Sequence, residues 1–320
     1  MNLHEDKEAF QELVEATASE FKLQPFQVEK DYYVSFFLKN LREVAPEIVF
    51  KGGTSLSKCY SIIDRFSEDI DITIYFEKAR LTNGEITKSQ KPLIEAITQT
   101  IHRLSFSFLN EGTVYPRLKF NKYEVGYTRM YEGNTQMLDH ILVETTLTYK
   151  PYPCDIKDVS NYITKFLEKE QPELIKEYQL QPFPMKIQTI ERTFIDKIFA
   201  LCDYHHDIDY KGKSRHIYDI HMIYRSGLLN EDILPELVMH IIETRRAGHK
   251  TYSCQTGYKP VEVLKGIIKG LVFFNDYETN TREFLSVYVE YGTAIASLEE
   301  ILNRGWIPHS IPDAPEPAAR

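Results

Sequence analysis

Hydrophobic residues recur along this chain with two spacings, which predict helices in some regions and strands in others. Apolar residues three and four positions apart predict amphipathic helices over residues 3–20, 25–41 and 91–109. Runs rich in β-branched and aromatic residues predict strands over 48–50, 69–74, 115–120, 124–131 and 140–149. Helical spacing returns over 190–202, from Ser214, and in three segments between 231 and 304. The pattern therefore predicts an α+β protein with N-terminal helices, a small mixed sheet and a helical C-terminal half.

Prolines and composition suggest where the chain divides. Five prolines between residues 151 and 184 predict an end to strand continuity, and the last sixteen residues are proline-rich with little apolar content. We therefore expect a core with its N-terminal helices over 1–150 and a connecting segment over 151–188. A helical domain over 189–304 and a loose tail over 305–320 complete the prediction.

The most informative segment runs from residue 48 to residue 76. A short apolar strand stops at Gly52-Gly53, and helical spacing begins immediately afterwards. A strict alternation then places Asp69 and Asp71 on one face of a strand and isoleucines on the other. Residues two apart on a strand lie about 7 Å from each other, so this pattern predicts two neighbouring carboxylates.

These two features predict a site for a metal ion and a nucleoside triphosphate. Mg²⁺ (or Mn²⁺) prefers carboxylate and phosphate oxygens, which Asp69 and Asp71 would share with a triphosphate. Glycines allow the backbone to approach an anion, and the following helix start, with the Thr54 and Ser55 hydroxyls, offers donors to phosphate. Either feature alone is common as a simple turn or a solvated strand face, whereas their combination in this order is specific.

The segments FKGGTSL (50–56) and RFSEDID (65–71) resemble those of the nucleotidyltransferase AbiEii/AbiGii toxin family, within the DNA polymerase β-like superfamily. The resemblance implies transfer of a nucleoside monophosphate from an NTP, with pyrophosphate leaving. It also implies that Glu29-Lys30-Asp31 is a recurrent element, although a solvated charge cluster is the simpler interpretation. The nucleotide-binding residues expected in and between these segments are Lys51, Gly52, Gly53, Thr54, Ser55, Lys58, Arg65 and Ser67.

The resemblance also implies a third acidic ligand on a later strand. Glu144 is the acid that matches, because it lies alone in the apolar run ILVETTL (141–147). A third carboxylate would let a second metal activate the attacking hydroxyl. Asp139 is a rival, and a glutamate that merely faces water is the alternative.

Two further residues are expected from the segments DKIFAL (196–201) and RHIYDI (215–220), which are similar to downstream motifs of the family. Lys197 would neutralise triphosphate charge, and Asp219 would either orient Lys197 or accept the proton of the attacking hydroxyl. A salt bridge between helices is the alternative for this pair. Arg192 and Arg215 are further candidates for phosphate or RNA contact.

Charge and cysteine content restrict the remaining possibilities. A net charge of −9 argues against non-specific coating of nucleic acid but leaves room for a local basic patch, for which residues 211–215 and the group Arg245, Arg246, His249 and Lys250 are candidates. The four cysteines form no CxxC pair, so neither a zinc ribbon nor a disulfide framework is indicated. The acidic start of the chain is unlike a signal peptide, and no apolar window is long enough for a membrane span, so we expect a cytoplasmic protein.

The sequence thus predicts a Mg²⁺-dependent nucleotidyltransferase. The family resemblance implies the toxin of a type IV toxin–antitoxin pair, with the 3′ end of tRNA as acceptor and an antitoxin encoded nearby. Two alternatives remain open at this point: transfer to a small hydroxylated molecule, as in antibiotic nucleotidyltransferases, and a nucleotide-binding module without catalysis.

Overall fold

The computed structural model describes residues 1–78, 81–133, 137–246 and 251–314. The chain forms two compact units. The first contains Met1–Ser61, Phe66–Phe76 and Leu81–Gln188. The second contains Ile62–Arg65, a short piece that begins at Glu77, and the chain from Thr189 onward. The predicted α+β class is confirmed.

The first unit is built on a mixed sheet in which the described residues form seven strands, in the order β3-β4-β5-β2-β1-β7-β6. The strands are β1 (Ile48–Lys51), β2 (Asp69–Ile74), β3 (Ser107–Phe108), β4 (Phe120–Gly126), β5 (Ile141–Thr146), β6 (Cys154–Val159) and β7 (Phe183–Gln188). β2 lies between β1, which is antiparallel to it, and β5, which is parallel to it. The strand that carries the paired aspartates is therefore interior to the sheet.

Helices cover the apolar face of this sheet. They are α1 (Lys7–Phe21), α2 (Pro25–Val44), α4 (Asn83–Arg103), α5 (Tyr162–Glu170) and α6 (Pro172–Glu177). The short helix α3 (Gly52–Ser55, continued by a π-helical turn to Tyr60) follows β1 directly. Ile70 and Ile72 of β2 are fully buried in the same core as Phe37 of α2 and Ile97 of α4. The isoleucines therefore fix which face of β2 points inward, and the aspartates between them take the opposite face.

Several of the predicted boundaries differ from the structure. The segment 151–188, predicted as a connector, contributes β6 and β7, which pair with each other, and β7 lies beside β1. Its prolines are tolerated because most of them precede or begin an element, and Pro184 lies in the antiparallel pair close to its end. The strand predicted over 115–120 begins only at Phe120. β4 then runs without interruption through Asn121 and Lys122, which lie between the two strands predicted over 115–120 and 124–131.

The cluster Glu29-Lys30-Asp31, interpreted from the sequence as solvated, is buried in α2. Glu29 accepts hydrogen bonds from the backbone N–H groups of Met130 and Tyr131 at 2.6 and 3.1 Å. Lys30 forms an ion pair with Glu68, and Asp31 forms one with Lys58. Buried charges are retained only where partners compensate the loss of water, and here each charge has one.

The second unit is helical in its described part. Its helices are α7 (Ile190–Asp207), α8 (Arg215–Arg225), α9 (Leu234–Arg246), α10 (Pro260–Lys269), α11 (Phe274–Thr279) and α12 (Tyr291–Asn303). α7 runs five residues further than the sequence pattern predicted. No helix within the described ranges is long and apolar enough to cross a membrane.

A buried ion network in this unit corrects two predictions of nucleic-acid contact. Arg192 is 1% exposed and donates to Asp196 at 2.8 Å. Arg245 is also buried and donates to Asp196 at 3.1 Å and to Asp203 at 2.7 Å. Arg192 therefore pairs within α7, and Arg245 links α9 to α7. His249 and Lys250 of the same predicted patch lie outside the described residues.

Candidate active site

The two aspartates of β2 form the centre of the candidate site. Asp69 and Asp71 are half-buried, whereas Ile70 and Ile72 between and beside them are fully buried. The side chains of a strand alternate between faces, so both carboxylates lie on the face away from the isoleucine core. The geometry matches the alternation predicted from the sequence.

Gly52 lies directly against the carboxylate of Asp71. Its φ is +79°, a left-handed conformation that side chains disfavour, and a Cβ atom at this position would lie 2.1 Å from Oδ2 of Asp71. Lys51 and Asp71 are also opposite each other in the β1–β2 register. Only glycine therefore allows the chain to turn from β1 into α3 while the carboxylate occupies this position.

The hydroxyl groups of the glycine turn are used within the protein. Thr54 donates to the backbone oxygen of Asp69 at 2.5 Å and its Oγ lies 2.9 Å from that of Ser67. Ser55 donates to the backbone oxygen of Gly52 at 2.8 Å. Thr54 and Ser55 are fully buried. These hydroxyls, predicted to bind phosphate, hold the turn against the start of β2. The first N–H groups of a helix have no partner within that helix, so the backbone of the turn is the other source of donors that a phosphate would use.

Glu144 lies beside Asp71 and is paired with a lysine. The β2–β5 register places Asp71 opposite Glu144, and the β4–β5 register places Lys122 opposite Glu144. Lys122 Nζ donates to Glu144 at 2.9 Å. Burial, with the nearby charge of Asp71, raises the pKa of Glu144, and the hydrogen bond to Glu144 raises the pKa of Lys122. The row Lys122–Glu144–Asp71 therefore crosses three adjacent strands.

The donor set fits a divalent cation that shares its ligands with phosphate. Within the described residues, no group of three or more His, Cys, Asp or Glu side chains is arranged to hold a metal ion by itself. Asp69 and Asp71 supply hard carboxylate oxygens beside a turn that admits no side chain at Gly52, and Mg²⁺ is usually bound by one or two carboxylates with phosphates and water. Glu144 as a third ligand stays a prediction, because its carboxylate is engaged by Lys122.

Lys58 was predicted to bind nucleotide, but its ammonium group is buried and forms hydrogen bonds within the protein. It is 3% exposed and its ammonium donates to Asp31 Oδ1 at 2.6 Å, to the Asp31 backbone oxygen at 3.0 Å and to Ser35 at 2.7 Å. Asp31 Oδ2 accepts the backbone N–H of Tyr162 at 2.9 Å. Because an ammonium group has three N–H bonds and all three are used, Lys58 ties the helix after the glycine turn to α2.

Lys30 is a residue of the site that sequence reasoning missed. It pairs with Glu68, the residue before Asp69, and donates to the backbone oxygen of Leu138 at 2.7 Å. Burial lowers its pKa, and the charges of Glu68 and Asp69 oppose that shift. Lys30 also lines a cavity of about 190 Å³ together with Phe26, Tyr127, Arg129, Tyr131 and Asp139. The sequence signal was the charged triplet Glu29-Lys30-Asp31 near the start of an otherwise apolar helix, for which a solvated cluster was the simpler interpretation.

The second unit contains a buried carboxylate with two cationic partners. Asp219 is fully buried. Its carboxylate accepts hydrogen bonds from Nε and Nη2 of Arg65 at 2.6 and 2.8 Å and from Nζ of Lys197 at 2.7 Å. Burial alone would raise the pKa of Asp219, but the charges of Arg65 and Lys197 hold it well below its usual range. Such a carboxylate is a poor proton acceptor, so the orienting role fits it better than the role of a base.

Lys197 and its surroundings carry excess positive charge. Burial lowers the pKa of Lys197, Asp219 opposes this shift, and Arg65 and Arg215 reinforce it. Burial likewise lowers the pKa of the neighbouring His216, which keeps this imidazole neutral near pH 7. Arg65, predicted to bind nucleotide, is held by the bidentate contact to Asp219, so its first role is within this cluster.

A family model described as the nucleotidyl transferase AbiEii toxin of type IV toxin–antitoxin systems matches residues 37–291. The chain belongs to this family. The AbiEii match includes the glycine turn, both aspartates of β2, Glu144, Lys197 and Asp219, and it confirms the resemblance inferred from the sequence.

Two solved structures are similar to this AbiEii chain. One is MenT4, a nucleotidyltransferase toxin from Mycobacterium tuberculosis H37Rv, with 14% identity, a TM-score of 0.49, and coverage of 90% of this chain and 87% of the other. The second is a protein of H. pylori named as a nucleotidyltransferase, with 14% identity, a TM-score of 0.47, and coverage of 87% and 94%. No curated protein sequence matches the chain.

Proposed function

We propose that this protein transfers a nucleoside monophosphate from an NTP to a hydroxyl group of RNA, with the 3′ end of tRNA as acceptor. The acceptor oxygen attacks the α-phosphorus and forms a new phosphodiester bond. The bond between the α- and β-phosphates breaks, pyrophosphate leaves with its electron pair, and the hydroxyl proton passes to water. As the toxin of a cytoplasmic type IV pair, the protein would have an antitoxin as its partner.

The observation that carries this proposal is the contact between Gly52 and the carboxylate of Asp71. It joins a helix start that can bind phosphate to a carboxylate pair that can bind Mg²⁺ (or Mn²⁺), within one rigid set of hydrogen bonds. A divalent cation on Asp69 and Asp71 would withdraw charge from the phosphates and stabilise the leaving pyrophosphate. A simple turn or a solvated strand face would not require glycine to lie against the Asp71 carboxylate.

The other residues have supporting roles in the proposal. Backbone N–H groups of Gly52 and Gly53 bind phosphate oxygens, with Lys51 on the adjoining strand as a cation for the same anion. Lys197 offsets triphosphate charge, and Asp219 fixes its ammonium group rather than taking a proton. Thr54, Ser55, Ser67, Lys58 and Arg65 maintain the positions of these groups through the contacts described above.

The experiment is to incubate the purified protein with total cellular RNA, Mg²⁺ and each α-³²P-labelled NTP in turn. We expect label in a tRNA-sized band with at least one NTP, and none with the Asp69→Asn/Asp71→Asn variant. Asp155→Asn/Asp158→Asn is the matched control, because it removes two exposed acids from β6 of the same sheet. Titration of NTP binding with Mg²⁺ and Mn²⁺, by calorimetry on the same proteins, measures the metal site directly.

Each result decides one part of the proposal. Equal NTP binding by the wild type and the Asp69→Asn/Asp71→Asn variant would refute the metal assignment. Metal-dependent NTP binding without labelling of any RNA would refute the RNA acceptor, and hydroxylated small molecules would then be the acceptors to test.

A further inference from the structure

The start of β4 and the segment before it expose aromatic rings beside cations. We call Tyr115, Arg117, Lys119, Phe120 and Lys122 the β4 surface. Tyr115 and Phe120 are 43% and 42% exposed, although burial of such rings is ordinarily favourable. The guanidinium of Arg117 lies 5.0 Å from the centre of the Tyr115 ring, and Nζ of Lys122 lies 5.6 Å from that of Phe120. Aromatic and cationic groups thus alternate over eight residues.

This surface is adjacent to the carboxylates of the candidate active site. Phe120 and Lys122 are two apart on β4 and so point to the same face, and Lys122 is hydrogen-bonded to Glu144, the neighbour of Asp71. Two strand spacings separate Lys122 from Asp71, which is a distance of about 10 Å. A ligand on the β4 surface is therefore within reach of the site.

The exposed rings belong to an ordered segment. Asn121 is 2% exposed, accepts the backbone N–H of Tyr115 at 2.9 Å and donates to the Tyr115 oxygen at 3.1 Å. Gln90 of α4 donates to the backbone oxygen of Leu118 at 2.9 Å. A buried amide and a helix side chain thus hold the segment in place, so its rings are presented to solvent by a fixed backbone.

The composition of the surface favours one class of ligand. The protein as a whole carries a net charge of −9, whereas this segment places three cations among eight residues. Single-stranded nucleic acid is bound by aromatic side chains on which unpaired bases stack and by cations that follow the phosphates. A duplex offers no exposed base faces, and a protein partner has no need for this alternation.

We propose that the β4 surface binds the unpaired 3′ end of the acceptor RNA, with a base stacked on Phe120 and phosphates contacted by Arg117 and Lys119. This inference rests on the proposed function, since it assigns the acceptor side of the same site. It gives a physical reason why an acidic protein can use RNA: the positive charge is local to the path that leads to Asp71.

The experiment measures binding of a short, fluorescein-labelled, single-stranded RNA that ends in CCA to the full chain, by anisotropy, without NTP. Phe120→Leu keeps an apolar side chain but removes the ring, and we expect it to raise Kd by about 5- to 100-fold. Phe120→Trp keeps the stacking face and should bind within about twofold of wild type. Arg117→Ala/Lys119→Ala should lower the slope of log Kd against log salt by about 1.4, for two phosphate contacts.

A matched control uses a similar pair in the second unit. The guanidinium of Arg282 lies 4.6 Å from the ring centre of Tyr288, which is 42% exposed, and Arg282→Ala/Tyr288→Leu should leave RNA binding unchanged. Melting curves establish that each variant is folded.

The same proteins separate this inference from the proposed function. Variants of the β4 surface should bind NTP and Mg²⁺ as the wild type does, whereas Asp69→Asn/Asp71→Asn should lose NTP and keep the RNA. The inference is overturned if Phe120→Leu binds RNA as tightly as Phe120→Trp, or if wild-type protein binds no single-stranded RNA. It is also overturned if Phe120→Leu weakens NTP binding instead, because the ring would then serve the nucleotide.

Discussion

Substitution of Gly52 by alanine tests whether the contact with Asp71 builds the active site. Alanine at φ +79° costs about 1–2 kcal/mol in backbone strain. Its Cβ would also lie 2.1 Å from Oδ2 of Asp71, so the carboxylate has to move by an ångström or more to restore normal contact. A displacement of about 1 Å at a reacting centre can cost 100-fold in rate. We therefore expect Gly52→Ala to lose activity at least 100-fold while its Tm falls only by a few degrees.

Gly257 provides the control for backbone strain alone. Its φ is +77°, nearly that of Gly52, but a Cβ atom there would meet nothing within 4 Å. Gly257→Ala should therefore lower Tm by a similar amount and leave transfer within about twofold of wild type. The assay is labelling of RNA from α-³²P-NTP at saturating Mg²⁺, with Tm from circular dichroism. Equal activity losses in the two variants, or near-normal activity of Gly52→Ala, would refute the argument.

Four further substitutions test three individual assignments. Lys58→Ala should lower Tm by about 10 °C, because it leaves Asp31 buried without its cation, and should keep NTP affinity within about twofold. A loss of NTP affinity at unchanged Tm would contradict the structural role of Lys58. Asp219→Asn should lower Tm by a constant amount from pH 8 to pH 5. Because the pKa of the Asp219 carboxyl is lower in the folded than in the unfolded state, the stabilisation by its ion pairs is lost only as pH falls below about 4. A Tm difference between wild type and Asp219→Asn that grows in acid would contradict the ion pairs. Glu144→Gln and Lys122→Met should leave the Mg²⁺ requirement nearly unchanged in titrations of activity, whereas a ten- to 100-fold higher requirement in Glu144→Gln alone would favour the third-ligand role predicted from the sequence.

The centre of the site could be predicted because its determinants are local. The alternation around Asp69 and Asp71 follows from the two-residue period of a strand, and the position of Gly52 follows from the end of an apolar run. The α+β class followed from the same periodicities. The contact between Gly52 and Asp71 was not predictable, because it depends on the β1–β2 register, which is set by packing across the sheet.

The predictions that differ from the structure concern residues whose partners are distant in the sequence. Lys58 follows the glycine turn and resembles a phosphate ligand, but its partner Asp31 lies 27 residues earlier. Glu29 appeared solvated because the groups that satisfy it, two backbone N–H groups near residue 130, are about 100 residues away. A sequence pattern identifies that a charge is present, whereas its partner depends on which surfaces the fold brings together. The strands of 151–188 were missed for a similar reason, since they are ordered by pairing with each other and with β1.

The segment RFSEDID shows how one motif combines scaffold and chemistry. Arg65 is bound to Asp219 within the second unit, and Ser67 and Glu68 are bound to Thr54 and Lys30 within the first. Only the two aspartates at its end project carboxylates from β2 toward the candidate site. A metal site requires that its ligands be fixed by surrounding contacts, so the residues before Asp69 have a reason to be specific even though they would touch neither metal nor phosphate. The AbiEii match includes this segment. The contacts of Arg65, Ser67 and Glu68 explain why these three residues support the strand, and metal binding by the two aspartates is the part of the segment that we propose.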